Sequence, residues 1–167
     1  MIGFAAIVLA STGLGFLLSA DLGRRVRELS QAQALMREIG THMRYFSSPV
    51  MEMVGKLSSR EDFSALPFLR ECEQRYEKCH NFDEAMAQAL ASRAQDMHMK
   101  KSDIDILASF FRGMGTTDTQ GQIANCELHE VQLETALHAA RERQKTHGRL
   151  YRTLGLLSGI MVCILLY

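Results

Sequence analysis

Tryptophan is absent from this 167-residue sequence, and proline occurs only twice. So few prolines leave long stretches with nothing to break a helix. Alternating β-branched runs of strand length are missing away from the ends, which excludes a sheet-based design. There is no charge excess of either sign: Lys+Arg and Asp+Glu stand at 19 each. That balance argues against a nucleic-acid binder, which carries a basic excess on one face. The four cysteines, Cys72, Cys79, Cys126 and Cys163, form no C-x-x-C and read as reduced thiols on helix faces. Catalytic signatures are also missing, with neither H-E-x-x-H nor G-x-S-x-G present.

The six histidines supply no metal site. His129, His138 and His147 recur every nine residues, about half a turn out of register on a helix. Successive rings therefore face opposite ways. Cys126 and His129 are half of a zinc site, without a second pair to complete it. The acid pairs Glu71/Glu73 and Asp103/Asp105 lie two apart and diverge on a helix. These exclusions point away from an enzyme and from any bound metal or cofactor.

What is present is helix former: ten methionines among long stretches of alanine, leucine, glutamate and arginine. The fold class expected is all-α. From Ile2 to Ala20 there is no charge, over about 20 residues, the length of a bilayer-crossing helix. A cleaved signal peptide would carry Lys or Arg before its apolar core, whereas Arg24, Arg25 and Arg27 come after it. A second apolar segment runs from Leu150 to Tyr167, with Tyr151 and Tyr167 at interfacial positions and Arg149 and Arg152 as basic flanks. The charge-free segments predict transmembrane helices over residues 1–20 and 150–167. Basic residues lie on the inner side of both, which puts a helical body, residues 21–149, in the cytoplasm. The run Arg141 to Lys145 reads as a solvated flank of the same kind.

In the body, Leu29, Ala32, Met36, Ile39, Met43 and Phe46 alternate spacings of three and four, one apolar helix stripe. The stripe is expected to follow a helix weakened at Gly23 and stopped near Ser47-Ser48-Pro49. A short helix follows, with Val50, Val54 and Leu57 on one side. Ser58-Ser59 or Asp62 is expected to cap a helix reaching about Cys79, and Asn81 one that buries Phe82, Ala85, Met86, Ala89 and Leu90. Ser102-Asp103 would open a helix carrying Ile106, Leu107, Phe110 and Phe111. The last helix, from about Gln120, carries Ile123, Cys126, Leu133, Leu137 and Ala140, with Ala124, Leu128 and Val131 widening the stripe. Gly148 would bend it. The elements make an antiparallel bundle.

Phe110 to Gln122, FFRGMGTTDTQGQ, is the one glycine-rich stretch. It has no lysine for a Walker loop, and Asp118 stands where a dinucleotide fingerprint needs its third glycine. It reads as punctuation instead. Gly113 or Gly115 ends one helix in the left-handed conformation, and Thr117 or Asp118 caps the next. Thr119 and Gln122 have capping-box spacing too.

Nearly end to end, these residues resemble the stage III sporulation protein AB family of endospore-forming bacteria. The resemblance is carried by Gly15-Phe16, by Tyr45 through Pro49, by Phe110 through Asp118 with Gln122, and by Tyr151-Arg152-Thr153-Leu154-Gly155-Leu156, Gly159 and Ile164-Leu165-Leu166. Met114 stands where leucine is usual, Met51 where a second proline is common, and Met86 where tryptophan is frequent. The resemblance implies a non-enzymatic membrane platform of a secretion-like transenvelope complex between mother cell and forespore, in the mother-cell-derived membrane. It implies a soluble part similar to the cytoplasmic domain of the type II secretion inner-membrane platform. It also implies, as partners, a cytoplasmic ATPase, stage III sporulation protein AA, and other members of the same set. Pro49, Glu52, Gly113, Gly115, Asp118 and Gln122 are then the candidate motif or partner-contact residues. The competing expectation is a membrane-bound regulator with a ligand-responsive hinge near Asp118. Homo-oligomerisation stays open.

Overall fold

The computed structural model describes the backbone of residues 2–45, 50–114 and 118–165. Side chains are described at 13, 15–45, 50–114, 118–150, 153, 154, 157, 158, 161 and 162. Every regular element among them is helical. In order they are α1 (Ile2–Tyr45), α2 (Val50–Ser58), a 3-10 turn (Glu61–Phe63), α3 (Phe68–Cys79), α4 (Phe82–Arg93), α5 (Lys101–Arg112) and α6 (Thr119–Leu165). The all-α expectation holds. The chain divides into two compact units, residues 27–137 and residues 1–26 with 138–167, and both long helices contribute to each.

Within residues 27–137, α1 buries Glu28, Leu29, Ala32, Leu35, Met36 and Ile39. Spacings of three and four place these side chains on one face. The buried seam of α6 is Cys126, His129, Leu133 and Leu137. Two ion pairs join α1 to α6, Arg37 to Glu130 at 2.7 Å and Arg44 to Glu127. As α1 advances its partners on α6 recede, so the helices are antiparallel. Leu128 and Val131 do not widen the α6 seam as expected; they are 57% and 61% exposed. His129 takes the seam position instead, with its ring nitrogen Nδ1 2.8 Å from the Asn125 carbonyl.

An aromatic cluster links the three 12-residue helices α3, α4 and α5 to α6. Phe111 meets Phe68 of α3 at 6.0 Å, Phe82 of α4 at 6.2 Å and Phe110 at 4.9 Å, all edge to face. Phe110 in turn lies 5.8 Å from the ring of His129 on α6. Edge-to-face aromatic pairs contribute about 0.5–1.5 kcal/mol each beyond area burial.

The short helices begin differently from expectation in two places. No helix starts at Asp62, whose carboxylate pairs with Arg60 at 2.7 Å. Residues 59–67 form the 3-10 turn and loops around buried Phe63 and Leu66, and α3 starts only after Pro67. Proline suits a helix start because its missing N–H is not needed there. Asp103 is not an N-cap either. It sits inside α5 and accepts from the Lys100 backbone N–H at 2.9 Å. Asn81 does cap α4, accepting from the Glu84 N–H at 3.2 Å. At the end of α3, His80 adopts φ 52°, the one positive φ among described non-glycine residues.

Cys72 and Cys126 are buried and Cys79 is exposed, all as free thiols. Burial, with the neighbouring Cys79 and Glu73, pushes the Cys72 thiol up to about 12. Burial likewise pushes Cys126 up to about 11. Neither is a useful labelling handle; Cys79 is.

In the other unit α1 and α6 again approach closely. A Cβ on Gly148 would lie 3.2 Å from the Ser19 hydroxyl, and one on Gly23 3.1 Å from the Gln144 amide. Both helices run unbroken through these glycines. The two positions therefore serve close approach, rather than the expected weak point and bend. Phe16, Leu17, Leu18, Leu150, Leu154, Leu157 and Met161 are exposed here. Among the described residues no helix is long and apolar enough to cross a membrane.

A charged network fixes α3 to α4. Glu71, whose side chain is 16% exposed, accepts from Arg75 at 2.8 Å and from Arg93 at 2.8 Å. The Arg93 hydrogen bond, helped by both positive charges, holds its carboxyl below the ordinary 4.5 against an opposing push from burial. A depressed folded-state value means stability present above the unfolded pKa and lost as pH falls through the folded one. We expect Glu71→Gln to lower the melting temperature at neutral pH, with the gap to the parent closing below about pH 4. Thermal melts across pH 2.5–7 check this; a gap that persists unchanged at low pH contradicts it.

Candidate functional site

The glycine-rich stretch does join two helices, by a route only partly expected. α5 ends at Arg112, and the Gly113 N–H bonds back to the Phe110 and Ser109 carbonyls at 3.2 Å. Gly113 has φ −77°, a right-handed conformation, so it does not end the helix by a left-handed turn. Its role is steric. A Cβ there would lie 3.0 Å from both polar atoms of the Asn125 side chain. That amide donates to the Phe110 carbonyl at 3.0 Å, which ties α6 to the last turn of α5. Gly113 leaves the room this bond needs. Met114, in the usual leucine position, is buried, so the change keeps an apolar contact. Gly115 and Thr117 lie outside the described residues.

Asp118 starts α6. Its Oδ1 accepts from the Gly121 N–H at 2.9 Å, and its carbonyl from the Gln122 N–H at 2.9 Å. A side-chain oxygen here satisfies one of the free amides of a first helical turn. Of the two expected caps, Asp118 is the one seen to act.

The other candidates are spread along the chain. Pro49 lies outside the described residues. Glu52, exposed on α2, pairs with Lys56 one turn on at 2.7 Å. That hydrogen bond, then the Lys56 charge, holds its carboxyl below the usual range. Arg24 is exposed, Arg25 is only 8% exposed, and Arg27 donates to Ser64 at 3.3 Å. Arg149 is exposed, and the Arg152 side chain lies outside the described residues.

Sequence reasoning missed one polar junction. Both oxygens of buried Glu28 accept from the His98 N–H, at 3.0 and 2.8 Å, and Oε1 lies 2.9 Å from His98 Nδ1. The carboxylate pins the loop between α4 and α5 to α1. Its signal was available: Glu28 lies on the α1 stripe with Ala32, Leu35 and Ile39, and an acid on an apolar face needs a buried partner. Among the described residues no group of three or more His, Cys, Asp or Glu side chains could hold a metal ion.

The sequence matches the family of stage III sporulation protein AB over residues 1–167. The chain belongs to this family. A relative, stage III sporulation protein AB of Bacillus subtilis strain 168, is 23% identical over 168 residues, covering 99% of this chain and 98% of its own length. A solved structure of a stage III sporulation protein AB superposes with a TM-score of 0.58 at 19% identity, covering 74% of this chain and 98% of the other. At that identity the likeness shows the fold. Membership gives the chain a role in stage III of sporulation, in a family not known for enzymes.

The α5–α6 junction can be tested by a double-mutant cycle. At φ −77° alanine is conformationally acceptable and would by itself stabilise by about 0.4–1 kcal/mol through the unfolded chain. Crowding of Asn125 should reverse the sign. We expect Gly113→Ala to destabilise the parent by about 1 kcal/mol, the scale of one hydrogen bond. In an Asn125→Ala background the same change should be neutral or stabilising. Denaturant titration reads both, and equal effects in the two backgrounds would contradict the steric role.

Proposed function

We infer that this chain is a non-enzymatic adaptor in the membrane of the sporulating cell, part of a secretion-like complex between mother cell and forespore. In this reading residues 1–20 and 150–167 lie in the mother-cell-derived membrane, and residues 21–149 form the cytoplasmic helical body. The body receives the ATPase of the same set, stage III sporulation protein AA, and couples it to the channel. Resemblance to the type II secretion platform supports the analogy.

The observation that carries the reading is where apolar surface is left uncovered. Phe16, Leu17, Leu154, Leu157 and Met161, all near the two chain ends, are more than half exposed. In the body the corresponding stripes are covered, as at Leu29, Met36, Leu133 and Leu137. Large apolar groups turned outward at both ends suit a lipid environment, where they cost nothing. An adaptor also needs no catalytic constellation. The junction at Asp118 is accounted for by helix capping, which leaves its Oδ1 engaged.

Co-purification tests the reading. Full-length chain extracted in mild detergent should retain the stage III sporulation protein AA ATPase at a fixed stoichiometry. Recovery of other complex members with no ATPase, under the same conditions, would contradict it.

A further inference from the structure

The chain is neutral as a whole, but its charge is unevenly spread. The unit made of residues 1–26 and 138–167 holds seven Lys or Arg against two acids, Asp21 and Glu142. The body, residues 27–137, holds twelve against seventeen. Segregation of this kind within one chain signals an anionic surface as partner of the basic part. In the body, arginines such as Arg37, Arg44, Arg75 and Arg93 are spent on carboxylates. On α6 beyond residue 138 the pattern reverses. Among the described residues Arg141, Arg143, Lys145 and Arg149 are exposed and make no ion pair.

Three of these cations lie one turn apart. Spacings of four place Arg141, Lys145 and Arg149 along one line of the helix. Like charges at that spacing repel and weaken a helix unless a counter-charge lies over them. Setting the orientation of a membrane span asks only for cations near it, not for this alignment. The same helix continues into an open apolar face. Leu150, Leu154, Leu157 and Met161 recur at spacings of four, three and four, and are 47%, 51%, 56% and 64% exposed. The fold leaves these side chains uncovered, so an apolar partner has surface to seat on. Cations first and apolar surface directly after, along one axis, match the order of headgroup and acyl chain in a lipid leaflet. A nucleic acid would meet the cations and leave the leucines bare.

We propose that the line of Arg141, Lys145 and Arg149 binds the headgroup phosphates of negatively charged phospholipids, whose acyl chains lie against Leu150, Leu154 and Leu157. The inference rests on the membrane reading above and goes beyond it, from a bilayer as such to a bilayer of one charge. The source of the phosphate is lipid, because free inorganic phosphate has no acyl chain to cover the leucines. Each Lys or Arg near an anionic leaflet strengthens association about fivefold. All three side chains are exposed, so replacing them breaks no ion pair among the described residues.

The test reconstitutes the full-length chain in phosphatidylcholine bilayers at low salt, with a trace of spin-labelled phosphatidylglycerol or spin-labelled phosphatidylcholine. Electron paramagnetic resonance reads the motionally restricted lipid held at the protein. We expect phosphatidylglycerol to be held about fivefold more strongly than phosphatidylcholine. The preference should vanish in an Arg141→Gln, Lys145→Gln, Arg149→Gln variant whose restricted phosphatidylcholine is unchanged. That unchanged fraction shows that the variant still sits in the bilayer. Removing three exposed body cations instead, by Lys78→Gln, Lys101→Gln and Arg112→Gln, should leave the preference intact. Equal retention of both lipids by the parent overturns the inference and leaves the membrane reading standing. Absence of a restricted fraction for either lipid overturns both. A preference that survives the first variant, or falls as far in the second, also overturns the inference. So does loss of the preference to millimolar inorganic phosphate but not to chloride of the same ionic strength, which marks a site for the free anion.

Discussion

Phe111 touches aromatic rings from α3, α4 and its own helix, and Phe110 beside it reaches His129 on α6. Four helices meet through two adjacent residues. α3, α4 and α5 are each 12 residues long and too short to persist alone in water. Their persistence comes from burial against one another and against α6. Removing this contact would uncover part of the apolar face of each of these helices.

Polar contacts then fix directions that packing leaves free. Asn125 holds α6 to the last turn of α5, and Glu28 holds the α4–α5 loop to α1. Glu71 bridges α3 to α4. Each is a partly or wholly buried group whose hydrogen-bonding capacity is met inside the fold, and such groups select one arrangement over others of similar apolar area. Under the proposed adaptor function, such specificity would keep the body from slipping between packings.

Helical class, antiparallel order and the major stripes were legible because period and caps act locally. Leu29, Ala32, Met36 and Ile39 are buried as their spacing implies, and Asn81 and Asp118 cap the helices behind them. What failed to read was set by neighbours distant in sequence. Leu128 and Val131 looked like core because they are apolar, and His129 was weighed only as half of a metal site. Yet the 126, 129, 133, 137 spacing selects His129, and its ring nitrogen is satisfied by the Asn125 carbonyl. Gly113 looked like a left-handed stop because glycine usually is one there. Its reason proved to be a side chain twelve residues on. Pro67 carried a legible signal, a helix start, that the cap-like Asp62 obscured. The candidate site was legible at Asp118, a local cap, and illegible at Asn125, whose acceptor, the Phe110 carbonyl, only the folded chain brings near.

Native-state hydrogen exchange tests most directly whether the aromatic contact makes residues 27–137 one cooperative body. The account predicts that the most protected amides of α3, α4, α5 and the first half of α6 share one opening free energy and one denaturant dependence. Exchange of the α6 amides through a separate, cheaper opening, while α3 to α5 stay protected, would contradict it.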